Sequence, residues 1–326
     1  MQRRELIKLI GGVTAAWPFA ARAQTADGIR RIGMLSEFPE EQLQPLIAAF
    51  RQRLQQLGWS EDSIRIDYRF GGVNAAQFHA ASAALVTTAP DVIVALGSRA
   101  AGFLKEATQT LPMVFTLVAD PVAQGLVKSL AKPGGNFTGL TMYEFSFAGK
   151  WLEAFKAIEP RISRVLLIVN PQNSGALALS KFVEGLGPSH GVVIVPAPVR
   201  SVVDISDALT AFGEGIDRAI IVLPDDLVVN HRDLIIRQIN RARIPVVFPF
   251  RIFAVDGGLL SWGLDFAEVY RQAAMYVDRI LRGEKPADLP VLAPNKFDIV
   301  INLKTANALR LKIPPALLAL ADEVIE

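Results

Sequence analysis

The sequence contains no cysteine and only three histidines among its 326 residues. Without cysteine, neither a disulfide nor a thiol can contribute to stability or chemistry, so the fold must rest on its hydrophobic core. Hydrophobic residues make up 51% of the chain, which is enough for such a core, and the length favours two domains over one.

The common catalytic motifs are also missing. There is no G-x-S-x-G elbow, no G-x-x-x-x-G-K-[ST] phosphate loop and no H-E-x-x-H pair. Only His231 lies near a cluster of carboxylates, namely Asp225, Asp226 and Asp233. A metal site or a Ser-His-Asp arrangement there is conceivable, but a solvated helix start explains the same residues. We therefore predict that the protein is not an enzyme and has no catalytic residue, metal or cofactor.

The chain has little net charge of either sign. Its formal net charge is +2, but residues 1–23 carry a net +3, so the remainder is close to neutral at −1. Nucleic-acid binding depends on neutralising phosphates with a basic surface. We therefore expect no nucleic acid among its partners.

The first 23 residues have the features of an export signal. A basic start that includes Arg3 and Arg4 precedes an apolar stretch over residues 9–21, and Ala21-Arg22-Ala23 supplies a small-x-small cleavage pattern. The paired arginines resemble a twin-arginine signal, although an ordinary secretory signal has a similar form. The apolar stretch is shorter than the roughly 20 residues that a membrane span needs, and later apolar runs are shorter still. We expect a mature, soluble protein in the periplasm.

Strands and helices alternate along the rest of the chain. In the first third, apolar or alternating segments predict strands over residues 31–36, 63–70, 91–96 and 112–118, each followed by a helix, the last after Asp120-Pro121. The alternation starts again with a helix at residue 148 and continues to a strand over residues 244–250. This order is typical of parallel sheets covered on both faces.

The sequence therefore predicts an α/β fold of two doubly wound parallel-sheet lobes joined by hinge strands. A strand at residues 257–263 and a helix at 266–281 follow the second lobe, and we expect them to return to the first. A further strand and helix and a final helix over residues 316–325 end the chain. The predicted boundaries are residues 29–142 plus about 258–288 for lobe 1, and 143–257 plus about 289–326 for lobe 2.

Two strands of the first lobe end beside hydroxyl residues. Gly97-Ser98-Arg99-Ala100 forms a turn that opens a helix, and Thr116 lies near the end of the next strand. If the two strands are parallel neighbours, Ser98 and Thr116 lie together beside the free N–H groups of a helix N-terminus, which favours a small anion such as a carboxylate. Alternatively, Ser98 is only a helix N-cap and Thr116 only a strand residue.

Acidic residues follow a strand of the second lobe. Asp225 and Asp226 come after the apolar run at residues 218–224 and should lie at the carboxyl edge of the sheet, where ligands of open α/β sheets bind. A carboxylate site on one lobe and an acid on the other would suit an amino acid. For at least one of the two aspartates we expect turn and N-cap chemistry instead.

Other candidate ligand contacts also lie at predicted strand ends. They are Ser36 and Glu37 in the first lobe, and Asn170, Phe248 and Trp262 later in the chain. Aromatic rings at a cleft edge can stack on an apolar ligand. Such rings are more often simply part of the core.

Several segments together resemble a known family. DVIVALGSRAA, DPVAQGLVKSLAKPGGNFTGLT, GGLLSWG and the closing block from PADLPVL to the end are similar to the periplasmic substrate-binding proteins of ABC transporters, in the group of the tryptophan- and tyrosine-binding lipoproteins. The resemblance implies a type I periplasmic binding fold that closes on a small ligand and an ABC permease in the inner membrane as partner. It also implies that Ser98 and its neighbouring amides hold the ligand's acidic group, that Thr116 supports it, and that an acid near Asp225 holds an amine.

The chain departs from the family pattern in places. Gly97-Ser98 replaces a common Gly-Thr, and Ser261-Trp262-Gly263 replaces Ser-Tyr-Gly. The acidic loop Glu37-Phe38-Pro39-Glu40 leaves open a ligand that is not a plain amino acid. The expected function is a receptor of an ABC importer for an aromatic or branched amino acid or a related small carboxylate. The alternative is a ligand-sensing domain that signals to a membrane partner. A hydrolase is the third-ranked function.

Overall fold

The computed structural model describes residues 28–72, 74–142 and 144–326 of the chain. The export signal expected at residues 1–23 lies outside the described residues. The described chain forms two α/β lobes, each built around a separate sheet, which confirms the predicted fold class. No helix in the described part of the chain is both long and apolar enough to cross a membrane.

The first lobe contains a parallel sheet of five strands within the described residues. The strands are β1 (Arg30–Ser36), β2 (Ile64–Phe70), β3 (Val92–Leu96), β4 (Met113–Val118) and β5 (Phe137–Thr141), and the helices between them are α1 (Glu40–Gln56), α2 (Ala75–Thr87) and α3 (Ser98–Ala107). Their spatial order is β2-β1-β3-β4-β5. Because the chain moves outward in opposite directions from β1 and β3, the topological switch point lies between these two strands.

The residues of the central strands explain why they lie inside. Every residue of β3 (VIVAL) and β4 (MVFTLV) is buried, as expected for a parallel strand covered on both faces. Apolar clusters fill both sides of the sheet, and one of them includes Phe50 of α1 while the other includes Phe78 of α2.

The second lobe contains a larger sheet. Its strands and helices up to the last hinge are α4 (Gly149–Ile158), β6 (Arg164–Val169), α5 (Ser174–Leu186), β7 (Val193–Pro198), α6 (Val202–Ala211), β8 (Arg218–Val222), α7 (Asp226–Asn230), α8 (Arg232–Ala242), β9 (Val246–Phe248), α9 (Arg251–Val255) and β10 (Leu260–Leu264). The last elements are α10 (Phe266–Leu281), β11 (Phe297–Asn302), α11 (Leu303–Ala308), α12 (Pro315–Leu318) and β12 (Glu323–Ile325). The spatial order is β12-β11-β10-β9-β8-β6-β7, which places this switch point between β6 and β8.

The segment between β9 and β11 is divided between the lobes. β10 pairs in parallel with β9, where Leu260 and Ser261 lie opposite Val247 and Phe248, and it pairs with β11 as an antiparallel neighbour. α10 instead packs on α1 and the first sheet. The strand that we expected to return to the first lobe therefore stays in the second sheet, because its backbone pairs on both sides there, and only the helix returns.

One predicted helix is absent and another is shortened. After Asp120, residues 121–125 form turns, because the carboxylate of Asp120 accepts hydrogen bonds from the N–H groups of Val122 and Ala123. At the end of the chain the predicted helix is reduced to the short α12, and β12 follows as an edge strand beside β11. Asp322 fixes this strand, since its carboxylate accepts a hydrogen bond of 2.9 Å from the N–H of Ile299.

Candidate ligand-binding site between the lobes

The switch points of the two sheets are where the fold leaves room for a ligand. In the first lobe, Glu37 follows β1 and Gly97 follows β3, so these residues come from the two strands that flank the switch point. In the second lobe, Asn170 follows β6, and Pro224 and Asp225 follow β8. Polar residues from both lobes therefore lie at the carboxyl edges of their sheets.

The carboxylate of Glu37 occupies the N-terminus of α3. Its Oε2 accepts a hydrogen bond of 2.7 Å from the backbone N–H of Arg99. A Cβ atom on Gly97 would lie only 2.1 Å from the carboxyl carbon, so the carboxylate lies directly against the Gly97 backbone. At the start of α3, where the sequence predicts an anion site, this structure has a carboxylate of the chain itself.

A local turn fixes the direction of Glu37. The Oγ of Ser36 accepts a hydrogen bond of 2.8 Å from the N–H of Phe38 and donates one of 2.9 Å to its carbonyl. The N–H of Glu37 donates to the carbonyl of Leu96 at 3.2 Å. Ser36, a predicted ligand contact, is 2% exposed and stabilises this turn.

Ser98 and Thr116 lie at the predicted edge but have different environments. Gly97, not Ser98, is the N-cap of α3, and the Oγ of Ser98 accepts a hydrogen bond of 3.1 Å from the N–H of Ala119. Thr116 is fully buried, and its Oγ1 has no hydrogen-bond partner among the described residues. Thr116 is therefore the hydroxyl of this pair that is left unsatisfied.

Tyr270 of α10 adds a second buried hydroxyl that the sequence analysis missed. Its side chain is fully buried, and its hydroxyl has no hydrogen-bond partner of good geometry among the described residues. Burial raises the pKa of Tyr270, and the negative charge of Glu37 raises it further, while the nearby Thr116 hydroxyl lowers it slightly. The regular pattern of α10 marks Tyr270 as a core residue but contains no signal that it faces the site.

Burial also controls the charge of Glu37. Loss of hydration raises the pKa of its carboxyl, and the N–H groups of Arg99 and Ala100 oppose this shift. The Arg99 guanidinium makes only a small contribution and lies 4.3 Å from the ring centroid of Phe78. Arg99 therefore serves the site mainly through its backbone.

The side chain of Asp225 stabilises the structure of the second lobe. It is the N-cap of α7, where Oδ1 accepts a hydrogen bond of 2.9 Å from the N–H of Leu227. The side-chain amides of Asn170 and Asn173 each donate to the same carboxylate at 3.1 Å. The predicted N-cap alternative is therefore correct for Asp225, and Asn170 orients it.

Asp226 has a different environment from Asp225. Its side chain is exposed, yet the surrounding protein reduces its hydration enough to raise its pKa, and the adjacent Asp225 raises it further. Asp226 in turn raises the pKa of Glu37 through charge repulsion across the cleft. Within the described residues, neither carboxylate forms a salt bridge. Two unpaired acids from opposite lobes thus lie within electrostatic reach of each other.

The aromatic residues predicted for the cleft belong to the core. Phe248 is fully buried and stacks on Phe253 with 4.8 Å between ring centroids. Trp262 is 6% exposed, and its ring lies 5.5 Å from that of Phe147. Neither ring is open to a ligand in this structure, because both fill the second-lobe core.

Other aromatic residues line a hollow at the hinge. Phe147 and Phe297 stack with 3.7 Å between their centroids, and Trp151 lies beside them. Pro224 and Pro249, from the ends of β8 and β9, complete one wall of this apolar hollow. The sequence analysis missed it because these residues come from segments far apart in the chain.

Comparison with known proteins identifies similar sequences. The family model described as "ABC transporter substrate binding protein" matches residues 40–325. A "Tyrosine-binding protein" from Clostridioides difficile (strain R20291) is 25% identical over 279 residues, which are 85% of this chain and 79% of that protein.

Solved structures are similar over most of the chain. An ABC domain from Streptococcus pneumoniae, solved in complex with L-Trp, is 25% identical with a TM-score of 0.79 and covers 91% of this chain and 100% of its own. A conserved domain protein from Vibrio cholerae is 29% identical with a TM-score of 0.78 over the same shares. These similarities confirm the predicted two-lobed periplasmic binding fold.

Proposed function

The chain belongs to the ABC transporter substrate-binding proteins, and we propose that it is the extracytoplasmic receptor of an importer for an aromatic or branched amino acid or a closely related small molecule. It is a binding protein rather than an enzyme. Two relatives that are 25% identical are named for tyrosine binding and for a complex with L-Trp, respectively, which supports an aromatic amino acid as the parent structure of the solute.

The observation that carries this proposal is the pair of carboxylates at the two switch points. Glu37 of the first lobe and Asp226 of the second repel each other in the absence of a counterion. A ligand ammonium between them gains charge-assisted hydrogen bonds to both lobes. Phe147 and Phe297 supply apolar surface at the hinge, against which an apolar or aromatic ligand side chain can pack.

This arrangement couples binding to closure. Repulsion between Glu37 and Asp226 favours separated lobes, and a cation between them favours the closed form. A ligand can shift the open and closed populations only by the difference in its affinity for them, and contacts made with both lobes at once supply that difference.

The remaining predicted residues frame the site in the proposal. One wall of the site is the start of α3, which consists of Gly97, Ser98, Arg99 and Ala100. Ser36 and Thr116 lie behind this wall. Asn170 and Asp225 hold the opposite wall, where they position Asp226. Phe248 and Trp262 support the second wall from the core.

The partner in this proposal is an ABC permease in the inner membrane, and the place of action is the periplasm. Family membership favours transport over the alternative of a sensing domain that signals to a membrane partner. Residues 1–23 would direct export.

A thermal-shift screen of the purified protein tests the proposal. The panel contains the amino acids, their amides and amines, aromatic carboxylates and small sugars. A ligand that binds only the folded state stabilises it by RT ln(1 + [L]/Kd) and therefore raises Tm. We expect shifts only with amino-acid-derived ligands that have aromatic or branched side chains. Shifts confined to sugars, or to carboxylates without an amine, would refute the proposed solute class.

A further inference from the structure

The start of α3 is already occupied by a carboxylate. Free N–H groups at a helix N-terminus are the groups that would bind a ligand carboxylate, because they are unpaired donors at the positive end of the helix dipole. In this protein the Arg99 N–H already donates to Glu37 at 2.7 Å. A second carboxylate here would lie beside the first, and like charges so close cannot both ionise without a large penalty.

Glu37 is held in this position by more than one contact. The turn closed by Ser36 sets the direction of its side chain, and its own N–H is bonded to the carbonyl of Leu96. The carboxyl group also lies flat against Gly97, where no larger residue would leave space. The side chain is therefore an integral part of the cleft wall and not an exposed group that moves freely.

Glu37 and Asp226 have no ion-pair partner among the described residues. No lysine, arginine or histidine of the described chain forms a salt bridge with Glu37 or Asp226. The closest candidate, Arg99, has its guanidinium over the ring of Phe78. The hydroxyls of Thr116 and Tyr270, both fully buried and without partners, are uncharged and lie on the Glu37 side of the cleft.

We propose that Glu37 determines ligand specificity: its carboxylate takes the place of a ligand carboxylate at the start of α3, so the cleft selects cationic ligands without a free α-carboxylate. The ligand ammonium bridges Glu37 and Asp226. The chemical class is an aromatic or branched amine, or the amide or ester of the corresponding amino acid. This inference rests on the proposed function and narrows its solute class.

Matched ligands measured by calorimetry provide the first test. One series is L-tryptophan, L-tryptophanamide and tryptamine, and another is L-leucine, L-leucinamide and 3-methylbutylamine. Wild-type protein is expected to bind an amide or amine at least about tenfold more tightly than the parent acid. Glu37→Ala should reverse this order, because it frees the N–H groups of α3 and removes one negative charge.

Glu40→Gln is the matched control. Glu40 lies on the same acidic loop and is exposed at the start of α1, where Gln44 donates to it. This substitution removes one negative charge close to Glu37 without changing the start of α3, so the order of affinities should stay that of the wild type. Tighter binding of the free acid by wild-type protein, with loss of binding in Glu37→Ala, would overturn the proposal.

Acetate supplies a test that does not depend on the amino-acid assignment. The amide resonances of Arg99 and Ala100 are followed by NMR while acetate is added. We expect no saturable shift in wild-type protein and a saturable shift in Glu37→Ala.

If no amino-acid derivative binds but acetate enters only the variant, the role of Glu37 stands and the proposed solute class fails. A saturable shift in the wild type would refute the role of Glu37. If Glu37→Ala does not fold, Glu37→Gln replaces it in the calorimetric test only, because its amide oxygen still accepts from the Arg99 N–H; removal of the negative charge alone should then reduce the preference for the amide or amine over the parent acid.

Discussion

The backbone N–H of Arg99 donates a hydrogen bond to Oε2 of Glu37, which lies 62 residues earlier in the chain. This contact joins the ends of β1 and β3, the two strands that flank the switch point of the first sheet. It satisfies one of the free N–H groups that every helix start presents. It also places a negative charge at a helix N-terminus, where many folds bind an anionic ligand.

The first prediction concerns pH and Glu37. Because burial raises its pKa in the folded state, folding favours the protonated form. Its contribution to stability is therefore complete below the unfolded pKa of about 4.5 and is lost as pH rises through the higher folded pKa. We expect ligand-free Glu37→Gln to melt at a higher temperature than wild-type protein at pH 7, with the difference disappearing below about pH 4.5. Calorimetric scans from pH 4 to 8 measure this, and an unchanged or lower Tm at pH 7 would contradict it.

The second prediction separates the two neighbouring aspartates. Asp225→Ala removes the N-cap of α7 and one acceptor each of the Asn170 and Asn173 side-chain amides, so it should cost about 1–2 kcal/mol of unfolding free energy. Asp226→Asn removes only a charge that repels Glu37, so stability should be equal or greater while ligand affinity falls. Urea denaturation and calorimetric titration measure the two effects. If Asp225→Ala weakens binding at unchanged stability, Asp225 and not Asp226 holds the ligand amine.

The fold could be predicted from local patterns, and these patterns failed where the place of a segment depends on its neighbours in the sheet. Buried apolar runs such as Val92–Leu96 identify central strands with little ambiguity. The segment Glu323–Ile325 has no such pattern, and it is a strand only because β11 offers an unpaired edge. The same holds for β10, whose place in the second sheet depends on β9 and β11 on either side.

The binding site, like the fold, could be predicted only where local sequence patterns place its residues. Glu37 and Gly97 follow strands, so their position at a sheet edge could be inferred from the sequence. Their contact depends on the order β1-β3 within the sheet, which no local pattern specifies. The sequence left open which of Asp225 and Asp226 caps a helix, and it gave no sign of Tyr270, because only tertiary packing determines the surroundings of these side chains.

The third prediction concerns Gly97. Its φ of +101° is unfavourable for any residue with a side chain, and a Cβ would collide with the Glu37 carboxyl group. Gly97→Ala should therefore destabilise the protein by about 1–3 kcal/mol and displace Glu37. Gly102→Ala is the matched control, because Gly102 lies within α3 with no atom near its missing Cβ. That control should be neutral or stabilising by up to about 1 kcal/mol, and equal losses in the two variants would argue against a special role for Gly97.

The last prediction concerns Asp265 at the hinge between β10 and α10. Its carboxylate is 5% exposed, caps α10 through the N–H of Glu268 at 2.9 Å and accepts a hydrogen bond of 2.8 Å from Lys296. Burial alone would raise the pKa of Asp265, but these hydrogen bonds and the charge of Arg271 hold it below its ordinary value. Its contribution to stability is therefore present above the unfolded pKa of about 3.8 and is lost as pH falls through the lower folded pKa.

Asp265→Asn should accordingly cost about 1–3 kcal/mol at pH 7, because Lys296 loses a buried charged partner, and the cost should shrink as the pH falls below about 3.8. Glu284→Gln is the control, since it breaks an exposed pair with Arg279 that solvent screens, so its effect on the unfolding free energy should be much smaller. Urea denaturation at pH 7 and pH 3 measures both variants. A loss in Asp265→Asn that is the same at both pH values would mean that the hinge depends on the shape of this side chain and not on its charge.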